Sequence, residues 1–470
     1  MGIKEEIRLL RRYIGDKAFY RRVLAVALPI IAQNAITNFV SLLDNLMVGQ
    51  LSTAQISGVT IVNNNLLLIF NLCLFGGAAG AGIFTTQFFG SRDQAGIRHT
   101  FRFKLLICIA LTLAAGALFV LSSDSLIGLY LQGEGDTALA ADTLYYGRQY
   151  LHIMLLGLLP FALTNAYAGT LRECGHPTVP MLAGLAATVV NLIFNYILIF
   201  GHFGAPALGV AGAAIATVIS RYVEFIIVAV WTHAHTEKLP FVQGLYRSMY
   251  IPGRLLKAIV VKGMPLLLNE GLWSLGMAML NQCYSFCSLD VVPALSISTT
   301  LCNLLSVVFR SLGNTVGIIT GQMLGAGCPE KKLRNDNRKM TALCLASGLL
   351  FGAVMVLISG VYPRLYNTAD SVRQLAAWLI VISAVDIPLQ AYIFPVYFTL
   401  RAGGKTIATF LFDCGAIWGL SLPLAFILSR FTSMHILAIF AICSGVDLIK
   451  CVIGWFMIRK GSWIQNLTVQ

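Results

Sequence analysis

Charge is scarce in this chain. Asp, Glu, Lys and Arg together make 11% of its 470 residues, against roughly 25% in ordinary soluble domains. A soluble fold of this length needs far more charge to dress its surface, so that class is excluded. Recurrent segments of alternating apolar and polar residues, which a barrel needs, are missing too. Helices are then the way to satisfy backbone polar groups inside a bilayer. The sequence has no Gly-rich phosphate loop of the Walker type, no HExxH and no cluster of His with acids. These gaps argue against an ATP-driven pump and against a membrane-embedded enzyme, so the energy for any transport has to come from an ion gradient. No small-residue cleavage site follows the first apolar run at about Val23, which is therefore expected to be a retained span. The 11 cysteines are scattered. Cys283 and Cys287 share a helix face but have no His beside them, and they are expected to act as small buried hydrophobes.

What the chain does have is apolar length: 57% of its residues are hydrophobic. Runs of about 20 residues, enough to cross a bilayer as helix, recur from end to end. Six spans are expected near Val23–Val48, Ile56–Phe84, Phe103–Leu121, Thr143–Thr170, Thr178–Phe200 and Gly209–Trp231. Six more are expected near Leu255–Tyr284, Pro293–Leu324, Lys339–Gly360, Gln374–Leu400, Thr406–Ser429 and His435–Ile458. The net charge of +13 is concentrated in the N-terminal tail, the even-numbered connections and the C-terminal tail. The odd-numbered connections hold only Arg364, Arg373 and Arg430. By the positive-inside rule both termini are cytoplasmic, at the plasma (inner) membrane, and the basic charge is a topology signal with no nucleic-acid partner implied. Residues 1–22, with Ile7, Leu10 and Ile14 set among arginines, fit an amphipathic segment lying on the inner leaflet. Residues 232–254 form a cytoplasmic linker between an N-lobe (23–231) and a C-lobe (255–458), and 459–470 form a cytoplasmic tail.

The lobes repeat one another. Leu28-Pro29-Ile30-Ile31 matches Met264-Pro265-Leu266-Leu267, and Gln87-Phe88-Phe89-Gly90 matches Gln322-Met323-Leu324-Gly325. Leu171-Arg172 with Gly175 matches Leu400-Arg401 with Gly404, at nearly the same offset. Six spans separate the copies, an even number, so the repeat is parallel. The expected fold is an all-α integral membrane protein of 12 transmembrane helices in two six-helix lobes with a central cleft. Gly313, Gly317, Gly321 and Gly325 stand four apart, and Ala78, Gly82, Thr86 and Gly90 occupy the corresponding places. Such stripes serve either helix packing within a lobe or a sliding surface. Pro29, Pro160, Pro265, Pro388, Pro395 and Pro423 lie within spans, where each allows a bend.

Ionisable groups inside apolar spans persist only for a reason. Asp44 stands in the outer half of span one, either solvated at the interface or buried in a site. Asn191 and Asn195 are four apart on one face of span five. With Asp44 they offer oxygens suited to Na⁺ or partners for a protonated carboxyl; helix–helix hydrogen bonding is the alternative. Glu270 in span seven and Asp386 in span ten are candidates for a cation or proton site, with Arg310 a candidate partner for either. Asp447 and Lys450, three apart in span twelve, suggest a local pair.

The run from Leu28-Pro29 to Asp44-Asn45-Leu46-Met47-Val48-Gly49 resembles the multidrug and toxic compound extrusion (MATE) family, as does Gln87–Gly90. So do Leu171-Arg172-Glu173-Cys174-Gly175-His176-Pro177 and the run Gly209–Thr217, and the likeness extends from about Val23 to Leu467. The ending Lys460–Leu467 is similar to the DNA-damage-inducible F-like branch. The resemblance implies an antiporter in which Na⁺ or H⁺ entry drives export of small amphipathic organic cations, acting as a monomer among membrane lipids with no cofactor. It implies that Asp44, Asn191 and Thr217 belong to the ion site, with Asp44 and Asn191 as Na⁺ ligands. Asn195 stands where that branch often carries an aspartate, while Glu270 and Asp386 resemble a C-lobe site of another branch. A flippase for lipid-linked saccharides is the rival reading. Its cavity needs cationic side chains, and the spans hold few, Arg148, Arg221, Arg310 and Lys450 among them.

Overall fold

The computed structural model describes residues 13–131, 137–288, 290–432 and 434–468. The expected amphipathic segment falls outside them up to residue 12, and Lys17–Arg22 are already part of the first long helix rather than a separate element. No strand occurs among the described residues, whose long helices make twelve segments in chain order, with a few short 3₁₀ turns between them. They are α1 Lys17–Val48, α2 Thr53–Ser91, α3 Gln94–Gly128 and α4, the pair Thr137–Leu155 and Leu158–Glu173. Then come α5 Thr178–Phe200, α6 Val210–Ala234, α7 Gly253–Ser285 and α8 Val291–Gly325. The last are α9 Glu330–Ile358, α10 Asp370–Ala402, α11 Thr406–Phe431 and α12 Ile436–Lys460. Among the described residues ten helices are long and apolar enough to cross a membrane, or eleven when α4, bent by 50° at its break, counts as one span. The remaining long helix, α7, is made more polar by Lys257, Lys262, Asn269 and Glu270.

The helices outrun the apolar runs because nothing in the sequence breaks them where hydrophobicity stops. α3 starts well before Phe103, its first turn capped by Asp93, whose Oδ1 accepts from the backbone N–H groups of Ala95 and Gly96, each at 3.0 Å. α4 breaks at Leu156-Gly157, just ahead of Pro160, as a proline near a helix start permits. The other in-span prolines are carried within continuous helix, except Pro423, which follows a π-helical turn, Ile417–Ser421, inside α11.

By internal contacts the chain divides into two compact units. The N-terminal unit is Ala32–Thr85 with Asp93–Gly263; the C-terminal unit holds the described part of 1–31, Thr86–Arg92 and Met264 onward. The divisions fall inside helices: two residues after Pro29 in α1, one residue before Pro265 in α7, and before Thr86 in α2.

In the C-terminal unit the glycine stripe of α8 is a packing surface. Gly313 and Gly317 lie against Phe394 and Phe398 of α10, and Gly321 against Thr86. The matched motifs of the two halves meet reciprocally: a methyl on Gly325 would overlap the Gln87 carbonyl, and one on Gly90 the Gln322 carbonyl. Gln87, fully buried, also holds the chain's tail. Its Nε2 donates to Ala402 O at 2.9 Å and Gln465 O at 3.2 Å, and its Oε1 accepts from the Leu467 N–H at 2.7 Å. Trp463 is fully buried, with its carbonyl against Gly403. Gly325→Ala should therefore lose about 1–3 kcal/mol of stability through overpacking. Gly360→Ala, where a methyl meets nothing, should change thermal unfolding by no more than about 0.5 kcal/mol.

Candidate functional site

Two helix pairs in the N-terminal unit bring the site together, each through glycine. In the α5–α6 hairpin, Gly212 has no Cβ, and its Cα sits close to the Leu198 carbonyl. That approach sets Asn191 opposite Thr217. Between α2 and α4, Gly58 lies against the Gly147 backbone, which sets Asn63 opposite Tyr150. Asn63 stands in a π-helical turn, Val62–Leu67, where the ladder of α2 loosens, a distortion frequent at functional sites.

The side chains then form a chain of hydrogen bonds. Asn195 Nδ2 donates to Asp44 Oδ1 at 2.6 Å and to Asn191 Oδ1 at 3.1 Å. Asn191 Nδ2 reaches Thr217 Oγ1 at 3.4 Å, and Thr217 donates to the Ala213 carbonyl at 2.9 Å. Asn63 and Tyr150 exchange bonds, at 3.1 Å from Asn63 Nδ2 and 3.2 Å from the Tyr150 hydroxyl. Asn195 is 2% exposed, and its Oδ1 is buried without a partner. Asp44 is half-buried, so it belongs to this site and is not simply solvated at an interface.

These groups line a cavity of about 30 Å³ bounded by Asp44, Val48, Val59, Asn63, Tyr150, Asn195, Ala213 and Thr217. One water needs roughly 10–15 Å³ by this kind of measure, whereas drug-sized ligands occupy about 300–1,000 Å³. The cavity is ion-sized. Its donors are all oxygens, from a carboxylate, amides and hydroxyls, and the orphaned Asn195 Oδ1 is an acceptor awaiting a donor or a cation. This set fits a hard monovalent cation or a protonated Asp44.

The structure thus gathers Asp44, Asn191, Asn195 and Thr217 and adds Asn63 and Tyr150, which sequence reasoning missed. The run Asn63-Asn64-Asn65 inside an apolar span was a usable signal. Tyr150, one of several tyrosines in its segment, gave none.

The second-half residues arrange differently from expectation. Asp386 and Glu270 do not share a hydrogen bond. Asp386 Oδ2 accepts from Gln390 Nε2 at 3.1 Å, and the same nitrogen donates to Asp447 Oδ2 at 2.8 Å. Glu270 has Arg401 and Asp413 as its electrostatic neighbours. Lys450 bonds Asp413 Oδ1 at 3.2 Å and lies 3.8 Å from Asp447 Oδ1, so the expected local pair is present and is joined by a nearer partner in another helix. Arg310 is not the partner of Glu270 or Asp386: its guanidinium sits over the Phe394 ring, 5.4 Å from the centroid, because α8 and α10 pack face to face there. Arg148 is paired with Asp124 at 3.3 Å.

The MatE family model matches residues 29–197 and again 265–427, its two matches opening at Pro29 and Pro265. The chain belongs to this family, and so is a multi-pass membrane transporter, not an enzyme. It is similar to a probable multidrug resistance protein, YoeA, of Bacillus subtilis, with 24% identity over 89% of each chain. It is also similar to the multidrug resistance protein PmpM of Pseudomonas aeruginosa, 24% identical over 89% of this chain and 85% of that one. Among solved structures, the MATE transporter VcmN of Vibrio cholerae superposes with a TM-score of 0.85 at 18% identity, covering 96% of this chain and 99% of that one. An outward-facing multidrug resistance MATE transporter gives 0.84 at 17%, covering 96% and 97%. At such identities these structures speak for the twelve-helix fold.

Proposed function

We propose that the chain is a secondary active antiporter that exports small amphipathic organic cations, driven by Na⁺ or H⁺ entering at the Asp44 site. The observation that carries this is the ion-sized, oxygen-lined cavity around a membrane-embedded carboxylate. It is too small for a drug and suited to a coupling ion, while the relatives are named for multidrug resistance. Proton or Na⁺ binding at Asp44 removes the charge that the Asn195 amide now solvates at 2.6 Å, so the α1–α5 contact differs between loaded and empty states. Pro29 and Pro265 lie beside the points where α1 and α7 pass from one unit to the other, giving both helices freedom to bend during alternating access. The basic charge of the even-numbered loops supports a topology with both termini in the cytoplasm, and in this reading the chain works as a monomer in the plasma membrane.

The test is transport by the purified chain in proteoliposomes with an imposed Na⁺ or pH gradient and a panel of cationic dyes. Dye movement should follow one gradient and collapse when it is dissipated. Dye movement indifferent to both gradients, or movement of lipid-linked saccharide instead, would sink the antiporter reading.

A further inference from the structure

The C-terminal unit holds a second polar centre, which unlike the first contains its own cation and several carboxylates. Lys450, 9% exposed, points its ammonium at Asp413 Oδ1 and Asp447 Oδ1, with the Phe412 ring 5.5 Å away. Asn269, 2% exposed, steadies the other Asp413 oxygen through an Nδ2 bond of 3.1 Å, and its own Oδ1 is buried without a partner. Two carboxylates and an aromatic face around one ammonium make a filled cation site.

Beside it, Asp386 and Asp447 converge on a single nitrogen, Gln390 Nε2. Carboxylates that close, in apolar surroundings, do not both ionise; one proton between them removes the repulsion. Asp386 Oδ1 is also buried with no partner. A bare carboxylate oxygen there is unfavourable, whereas a carboxyl O–H is not a naked charge.

The groups facing Asp386 come from every helix around it. α12 supplies Asp447, Lys450 and Cys451, α7 supplies Tyr284, and α8 supplies Cys302, with Arg310 beyond it. α11 supplies Asp413 on the far side of Lys450, and α9 presents Gly348 and Gly352 against α10. Among the described residues the ammonium near Asp386, that of Lys450, is therefore already committed to Asp413 and Asp447, and a metal ion entering beside it would meet like charge.

We propose that Asp386 and Asp447 share one exchangeable proton carried on their carboxyl oxygens, with the Gln390 amide bridging the two, and that Lys450 is a tethered cation that fills this centre and leaves no place for a metal ion. The inference rests on the transporter reading above and adds that this centre is selective for protons.

The test uses full-length purified protein carrying Asp44→Asn, so that the first site is silenced. Equilibrium binding of radioactive Na⁺ should be absent in that background. It should appear, with at least a tenfold gain in affinity, on adding Lys450→Met, and stay absent with Lys450→Arg, which keeps the charge and serves as the control for folding. Infrared spectra at neutral pH should show a protonated-carboxyl band that Asp386→Asn and Asp447→Asn each remove. Saturable Na⁺ binding with Lys450 intact, none with Lys450→Met, or a band surviving either aspartate substitution would overturn the proposal. These readouts do not depend on export, so failure of the proteoliposome assay would remove the antiporter reading and leave this one to be judged separately.

Discussion

Asp44→Asn is expected to leave the chain folded and still able to bind a cationic dye, while gradient-driven export falls at least about a hundredfold. The asparagine keeps the shape of the carboxylate and still reaches Asn195, which now bonds Asp44 Oδ1 at 2.6 Å. What it loses is the ability to change charge. A ligand drives a two-state equilibrium only by its differential affinity, and moving that equilibrium from 1:99 to 99:1 takes about 10⁴-fold, or about 5.5 kcal/mol. An amide offers a proton no site and Na⁺ only a neutral oxygen, so most of that difference disappears. Export and dye binding measured on the same preparation separate coupling from substrate recognition. Undiminished export from the asparagine variant would place coupling in the C-terminal unit, at Asp386 and Asp447.

The fold was legible because it rests on properties local in sequence. A bilayer demands about 20 apolar residues per helix, and ten or eleven of the described helices meet that demand outright. The repeat was legible for the same reason: Pro29 and Pro265 sit at the openings of the two family matches. Helix ends were less so, since α1 and α3 continue through arginines and lysines that hydropathy assigns to connections. The first site was half-visible. Helical spacing puts Asn191 and Asn195 on one face, but the partner of that face depends on where α1, α2 and α4 pass. Those paths are fixed by close approaches such as Gly58 on Gly147. The second centre was legible in part: the partner near in sequence was found, and the one near only in space was not. Lys450 was matched to Asp447 three residues away, whereas its shorter bond crosses to Asp413 in α11. Asp413 gave no signal in the sequence, because its position within α11 says nothing about which helix it faces.

A buried ion pair in the N-terminal unit leads to the other large expected effect. Lys104 of α3, 1% exposed, is paired with Glu173 at the end of α4 and lies 3.2 Å from Thr170 Oγ1. Gly82 of α2 makes the room, since a methyl there would meet the Glu173 carboxylate. The ammonium is shielded from water, so the Glu173 carboxylate and Thr170 hydroxyl stand in for its lost hydration. Removing one member of such a pair strands the other and typically costs about 3–5 kcal/mol, while replacing both with apolar groups of similar volume is often neutral or better. Glu173→Ala should therefore lose about 3–5 kcal/mol, with a correspondingly lower unfolding temperature in detergent. Lys104→Met combined with Glu173→Met should recover to within about 1 kcal/mol of the parent. The double-mutant cycle built from these variants isolates the coupling of the pair from the packing each side chain contributes. If Glu173→Ala proves as stable as the parent, the pair contributes nothing to holding α3 against α4.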